Sequence, residues 1–305
     1  MTSLLEAGAA TTQEEPRRTG RARAWRRVMR QPVAAGAGAV LAVVFVVGAI
    51  FPRLAPTDAQ AIDLSPHWIN HAPQLSGWHL LGTDQVGRDV LVRTLYGLHS
   101  SEKSALLGTL LASAVGIVLG GIAGYHGGWV DSLIMRFGDV LGIFPAIILL
   151  LVAYTYFMPV TVEKAAFIIA FYLWIQVARV VRAEIASLRE REFVQSALSL
   201  GASDWRIFFR HLLPNASGTI IVAATSLFGQ MIVLEATLEF FSIGIPSGVT
   251  PTLGNLIGDA QNGSLTNGLG WWNLVAPAGL LVLILVCVNL LGDGIADALR
   301  ATARR

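Results

Sequence analysis

The chain has almost no cysteine, few charges, and none of the short motifs that mark nucleotide, zinc or hydrolase chemistry. Its one cysteine, Cys287, excludes an internal disulfide, and no Cys/His zinc spacing accompanies it. Cys287 lies in an apolar run and reads as a small packing residue. Charged residues are only 14% of the 305 positions, against roughly a quarter in a soluble domain. No G-x-x-x-x-G-K-[ST] phosphate loop is present, so this chain is not expected to bind ATP itself. No H-E-x-x-H or G-x-S-x-G stands in the chain, which argues against an enzyme. A net charge of +2 offers no argument for nucleic-acid binding.

What is abundant is apolar sequence in long blocks. The chain is 54% hydrophobic with a mean hydropathy of +0.60. A helix needs about 20 mostly apolar residues to cross a bilayer. Six segments qualify, at roughly 33–52, 104–124, 140–160, 165–181, 217–240 and 273–292. The expectation is an all-α, polytopic membrane protein with six transmembrane helices. A tail of residues 1–31 precedes a membrane domain of residues 32–305.

Arginines set the orientation. Arg17, Arg18, Arg21, Arg23, Arg26, Arg27 and Arg30 precede the first span, and positive residues favour the cytoplasmic side. With six spans both termini are then cytoplasmic. So is the segment between spans four and five, which holds Arg189, Arg191, Arg206 and Arg210. In "GRARAWRRVMRQP", Trp25, Val28 and Met29 recur at helical spacing among arginines, as in an interfacial helix. The first sixteen residues carry no such pattern.

The stretch "REREFVQSALSLGASDWRIFFRHLLPN", Arg189 to Asn215, is too charged to lie in lipid. It reads as a helix continuing out of span four, with Phe193, Ala197 and Leu200 near one face. Gly201 suits a helix end at positive φ. Ser203 is placed to cap a second short helix whose first turn holds Asp204. The result is a helix–turn–helix bracket over about residues 186–215.

These residues resemble a known family. "QSALSLGAS…RHLLPN" is similar to the coupling-loop signature of permease subunits of bacterial ABC importers, with Gln195, Ser196 and Ala197 in place of Glu-Ala-Ala and Gly201, Ala202, Ser203, Leu213 and Pro214 following. "HLLGTDQVGRDVLVRTLYGLHSS" looks like the signature of C-type dipeptide and oligopeptide permeases, through Gly82, Thr83, Asp84, Gly87, Arg88, Asp89, Arg93 and Gly97. Here Val92 replaces a Ser and His99 an Arg. Further similarity runs through Gly127, Gly128, Asp131, Arg136, Asp139 and Pro145, the "WW" at 271–272, and "NLLGDGIADAL" at 289–299.

The resemblance implies a type I ABC importer permease in a bacterial plasma membrane, forming half of a pathway for di- or oligopeptides. It implies as partners a homologous B-type permease, one fused or two separate ATPase subunits that bind ATP and Mg, and an extracytoplasmic solute-binding protein. The bracket would dock on the ATPase. Members of the family that carry nickel, haem or opines define the alternative cargo, and an energy-independent channel or carrier is the rival mechanism.

Several residues carry narrower expectations. Gly116, Gly120, Gly121 and Gly124 would let a neighbouring helix approach span two. Arg88 would pair with Asp84 or Asp89, and Arg136 with Asp131 and Asp139. His67 and His71 have i,i+4 spacing but no evident third metal ligand, so a metal site is not expected. Glu235 and Glu239 share a face of span five. They are candidate pathway residues, with Glu239 expected to place negative charge at the outer mouth.

Overall fold

The computed structural model describes residues 29, 31–54, 60–62, 69–74, 79–265 and 270–303. Residues 1–28, with Trp25 and Val28 of the expected interfacial helix, and His67 lie outside them. Among the described residues the regular elements are all helical, with one isolated antiparallel bridge between Thr83 and Asp89.

α1 runs Pro32–Leu54 and α2 Val90–His126. α3 is Gly128–Ile143, α4 Ala146–Tyr156 and α5 Val162–Arg189. α6 is Glu192–Ser199 and α7 Asp204–Ile207. A π-helical turn, Phe208–Leu212, leads without a break into α8, Leu213–Phe240. α9 is Leu253–Asp259, followed by a second π-helical stretch, and α10 is Trp272–Ala303.

Five of these units, α1, α2, α5, α7 through α8, and α10, are long and apolar enough to cross a membrane. The remaining predicted span, the third, at 140–160, is a bent pair. α3 and α4 meet at 90° around Phe144 and Pro145. Pro145 forces its predecessor out of the helical region, and Phe144 is extended at φ −80°, ψ 135°.

α2 begins at Val90, well before the predicted 104. Its first turns carry Arg93, His99, Glu102 and Lys103, which depress hydropathy. The protein supplies much of their pairing: Arg93 meets Asp84, His99 Nδ1 lies 3.0 Å from the Gly48 carbonyl, and Lys103 pairs with Glu163.

The core seam joins α2 to α5. A Cβ at Gly120 would stand 2.4 Å from the Ala178 carbonyl oxygen, and one at Gly124 would stand 2.5 Å from that of Arg182. The small residues therefore let two backbones touch, as the glycine spacing predicts. Trp174, Val177, Ala178 and Val181 fill the seam from α5. Apolar side chains on α1, α4 and α10 stay exposed, among them Val43, Val152 and Val282.

The acids of α3 find different partners from those expected. Asp131 takes Arg182 in a two-pronged contact at 2.5 Å, and Asp139 takes Arg179 at 2.7 Å. Arg136 is exposed and pairs with neither. Asp131 lies about 140° around the helix from Arg136 and Asp139 only about 60°, but α5 offers arginines where it crosses, and each acid takes one of them.

Candidate functional site

Two constructions sit at opposite ends of α2. The helix has 37 residues, so the ends lie about 55 Å apart at 1.5 Å per residue.

At its far end, the bracket folds as two separate helices. α5 stops at Arg189, and α6 begins after a break at Glu190 and Arg191, so the predicted continuous helix is interrupted. α6 ends in a Schellman motif. The Gly201 amide donates to the Leu198 carbonyl at 2.9 Å and the Ala202 amide to that of Ala197 at 3.1 Å. This geometry needs a left-handed residue, and Gly201 has φ +77°.

Ser203 holds the N-cap position of α7 with extended backbone, but its side chain makes no cap hydrogen bond. The expected side-chain cap is therefore not formed, and the next residue, Asp204, turns to another helix. It accepts a hydrogen bond from the Tyr125 hydroxyl at 2.5 Å. The Arg189 guanidinium stacks over the same tyrosine ring at 5.4 Å. Tyr125 thus gathers α2, α5 and α7, a role with no signal in the linear sequence.

The bracket has an inner and an outer face. Val194, Ile207 and Leu212 are fully buried, and Phe193 and Ala197 pack against the core. Gln195 donates to the Arg189 carbonyl at 3.1 Å, which closes the break, and Ser196 bonds back to Glu192. Leu200 is 87% exposed and Trp205 74%, with the Trp205 ring 4.1 Å from Phe209. Leu200 therefore leaves the face it was expected to share with Phe193 and Ala197. Pro214 falls at the start of α8, directly after the π-helical turn Phe208–Leu212.

At the near end, residues 82–93 form a knot around Asp84. One of its oxygens takes the amides of Val86 and Arg88, and the other takes the side chains of Arg88 and Arg93, each at 2.7 Å. Asp89 caps α2 through the Val92 amide at 2.8 Å and pairs with His79, so Arg88 belongs to Asp84. Trp272 donates to the Thr83 carbonyl, which ties α10 to the knot. Arg93, 3% exposed, reaches on to Asp259 and the Ser247 carbonyl, each at 3.4 Å. That link joins the knot to the segment after α8.

Glu235 and Glu239 both lie inside the bundle, each 1% exposed. Both Glu239 oxygens accept from the Ile245 amide, at 3.1 and 3.0 Å, so this carboxyl braces the turn after α8 rather than facing the mouth. Glu235 sits beside Ser101 and Ser104 of α2. His71 binds the Ala72 carbonyl and Gln74, and among the described residues no three metal-binding side chains cluster.

A bundle of long apolar helices with a charged bracket at one end and a polar knot at the other defines a multi-pass membrane subunit. Residues 116–305 match the family described as binding-protein-dependent transport system inner membrane component. The glutathione transport system permease protein GsiD of Pectobacterium atrosepticum is 33% identical over 90% of this chain and 89% of its own. The dipeptide permease DppC of Bacillus subtilis is 32% identical over 92% and 86%. The oligopeptide permease OppC of Mycobacterium tuberculosis is 34% identical over 92% and 94%. The chain belongs to this family as a C-type permease of the peptide ABC importers, and it is not an enzyme.

Proposed function

We propose that the chain forms half of the translocation pathway for di- or oligopeptides in a bacterial plasma membrane. Its other half would be a homologous B-type permease. Its bracket would dock on ATPase subunits, fused or separate, that bind ATP and Mg. An extracytoplasmic solute-binding protein would deliver the cargo. The arginine distribution supports both termini being cytoplasmic, with the bracket on the same side.

The observation that carries the coupling role is the exposed face of the bracket. Leu200 and Trp205 are large apolar side chains held in the open by a rigid Schellman turn and by the Tyr125–Asp204 bond. A soluble partner with a hydrophobic groove would bury them. Gln195, Ser196, Ala197, Gly201, Ala202, Ser203, Leu213 and Pro214 set the geometry of that face. Movement of the motor would pass through α5, α7 and α2 as the two permeases rock between inward and outward access. Peptide names among the relatives favour peptides over nickel, haem or opines.

The test is reconstitution of the full transporter in proteoliposomes, with uptake of labelled di- and tripeptides driven by enclosed or external ATP. Uptake that needs no ATP points to a channel or carrier. Uptake of nickel or haem without peptide uptake shifts the cargo.

A further inference from the structure

A cavity of about 440 Å³ opens between the end of α4 and the turn that follows α8. That volume falls within the about 300–1,000 Å³ of small-molecule sites. Leu151 and Met158 give it an apolar wall, residues 242–248 a wall rich in backbone, and Asn255 and Asp259 close it from α9. Asn255 is fully engaged. Its amide nitrogen donates to the Ile245 and Thr250 carbonyls, and its oxygen accepts from the Thr252 amide. The wall it supports is therefore fixed.

Among the described lining residues, Asp259 alone carries a formal charge. Its side chain is 34% exposed. One oxygen takes the Ser247 hydroxyl at 3.2 Å and the other the long contact with Arg93 at 3.4 Å. Arg93 is committed to Asp84 at 2.7 Å and is not among the residues that line the cavity. A carboxylate has about four acceptor positions, so two long bonds leave room for another donor. Glu235 and Glu239 do not line the cavity.

We propose that this cavity is a subsite for the free amino terminus of the transported peptide, with Asp259 as the acceptor and the Leu151–Met158 wall beside the first side chain. The assignment of the ligand rests on the peptide-permease reading. The subsite lies at the end of the bundle opposite the bracket, where a delivered peptide would enter.

The experiment uses the assembled transporter in nanodiscs. Cys287→Ala removes the native thiol, and Met158→Cys adds one on the cavity wall, where residue 158 is 61% exposed. The rates of modification by a small cationic thiol reagent and its anionic counterpart are compared. With Asp259 intact the cationic reagent should react about fivefold faster, relative to their rates with free cysteine, and the ratio should fall to about one in Asp259→Asn. Trialanine should slow modification about threefold or more, N-acetyl-trialanine should not, and Asp259→Asn should abolish the protection.

A ratio near one with Asp259 intact, or equal protection by the two peptides, overturns the proposal. The intact ratio needs no change at position 259, so it decides even where Asp259→Asn does not assemble. If the unsubstituted transporter takes up no peptide, the functional reading fails, and the reagent ratio still judges the charge of the cavity by itself.

Discussion

The Tyr125 hydroxyl donates to Asp204 Oδ1 at 2.5 Å, which fastens the last turn of α2 to the first turn after Gly201. A hydrogen bond to a charged acceptor contributes about 1.5 kcal/mol at the lower end of its range, and this one is only partly buried. Tyr125→Phe should therefore leave the subunit assembled. It should loosen the bracket, so that more ATP is hydrolysed per peptide taken up, by about threefold. Parallel ATPase and uptake assays on one reconstituted sample read this. An unchanged ratio would show that motion bypasses this bond.

Gly201 offers a cleaner perturbation. A Cβ there meets nothing within 4 Å, so the cost of a side chain is backbone strain alone. At φ +77° that strain is about 1–2 kcal/mol. Gly201→Val should insert normally yet uncouple hydrolysis from transport. Gly201→Asn, which tolerates the left-handed region, should retain most activity. Wild-type transport by the valine variant would remove the turn from the coupling route.

Arg93 is the buried cation of the opposite end. Arg93→Met leaves Asp84 with Arg88 but deprives Asp259 and the Ser247 carbonyl of their shared donor. Breaking a buried ion pair costs about 3–5 kcal/mol, and the surviving Arg88 contact places this case at the low end. The expected result is a lower thermal midpoint in detergent. Arg93→Lys should restore little, because one ammonium cannot reach both acids as the forked guanidinium does. A midpoint unchanged in Arg93→Met would contradict this account.

Glu239 braces a turn, so its charge should matter less than its oxygens. Glu239→Gln keeps an acceptor for the Ile245 amide and should slow cationic and anionic peptides alike. Glu239→Ala leaves that buried amide unmatched, at about 1–3 kcal/mol, and should reduce assembled yield. A selective loss of cationic peptides in the glutamine variant would mean that the carboxyl reaches the substrate after all.

The arginines before α1 yield a topology prediction. Deleting residues 1–16 should be nearly silent. Replacing Arg21, Arg23, Arg26, Arg27 and Arg30 with Gln should lower correctly oriented protein. Accessibility of introduced cysteines on either side of the membrane measures it, and normal topology in the five-fold variant would refute the arginine argument.

Sequence alone determined the class of this protein. Long apolar runs, scarce charge and a stripe of glycines are local or periodic features, and they mark six apolar segments and the side of α2 open to close approach without reference to any distant residue, though not that α5 is what approaches. Gly201 was legible for the same reason, since a helix end with positive φ is a local demand.

What escaped was every feature that depends on a second element crossing nearby. The 90° bend at Phe144–Pro145 hides inside one apolar run. The polar start of α2 looks like loop until Asp84, Glu163 and the Gly48 carbonyl are brought to it. Asp131 and Asp139 choose Arg182 and Arg179 over Arg136 because α5 lies against α3. Glu239 turns inward because the chain reverses after α8 and offers the Ile245 amide, while Asp259, unremarked in the sequence, is left as the acid facing the open cavity. A side chain's charge is written in the sequence, but its partner is chosen by packing, since a contact of 3 Å is decided by where the backbones cross.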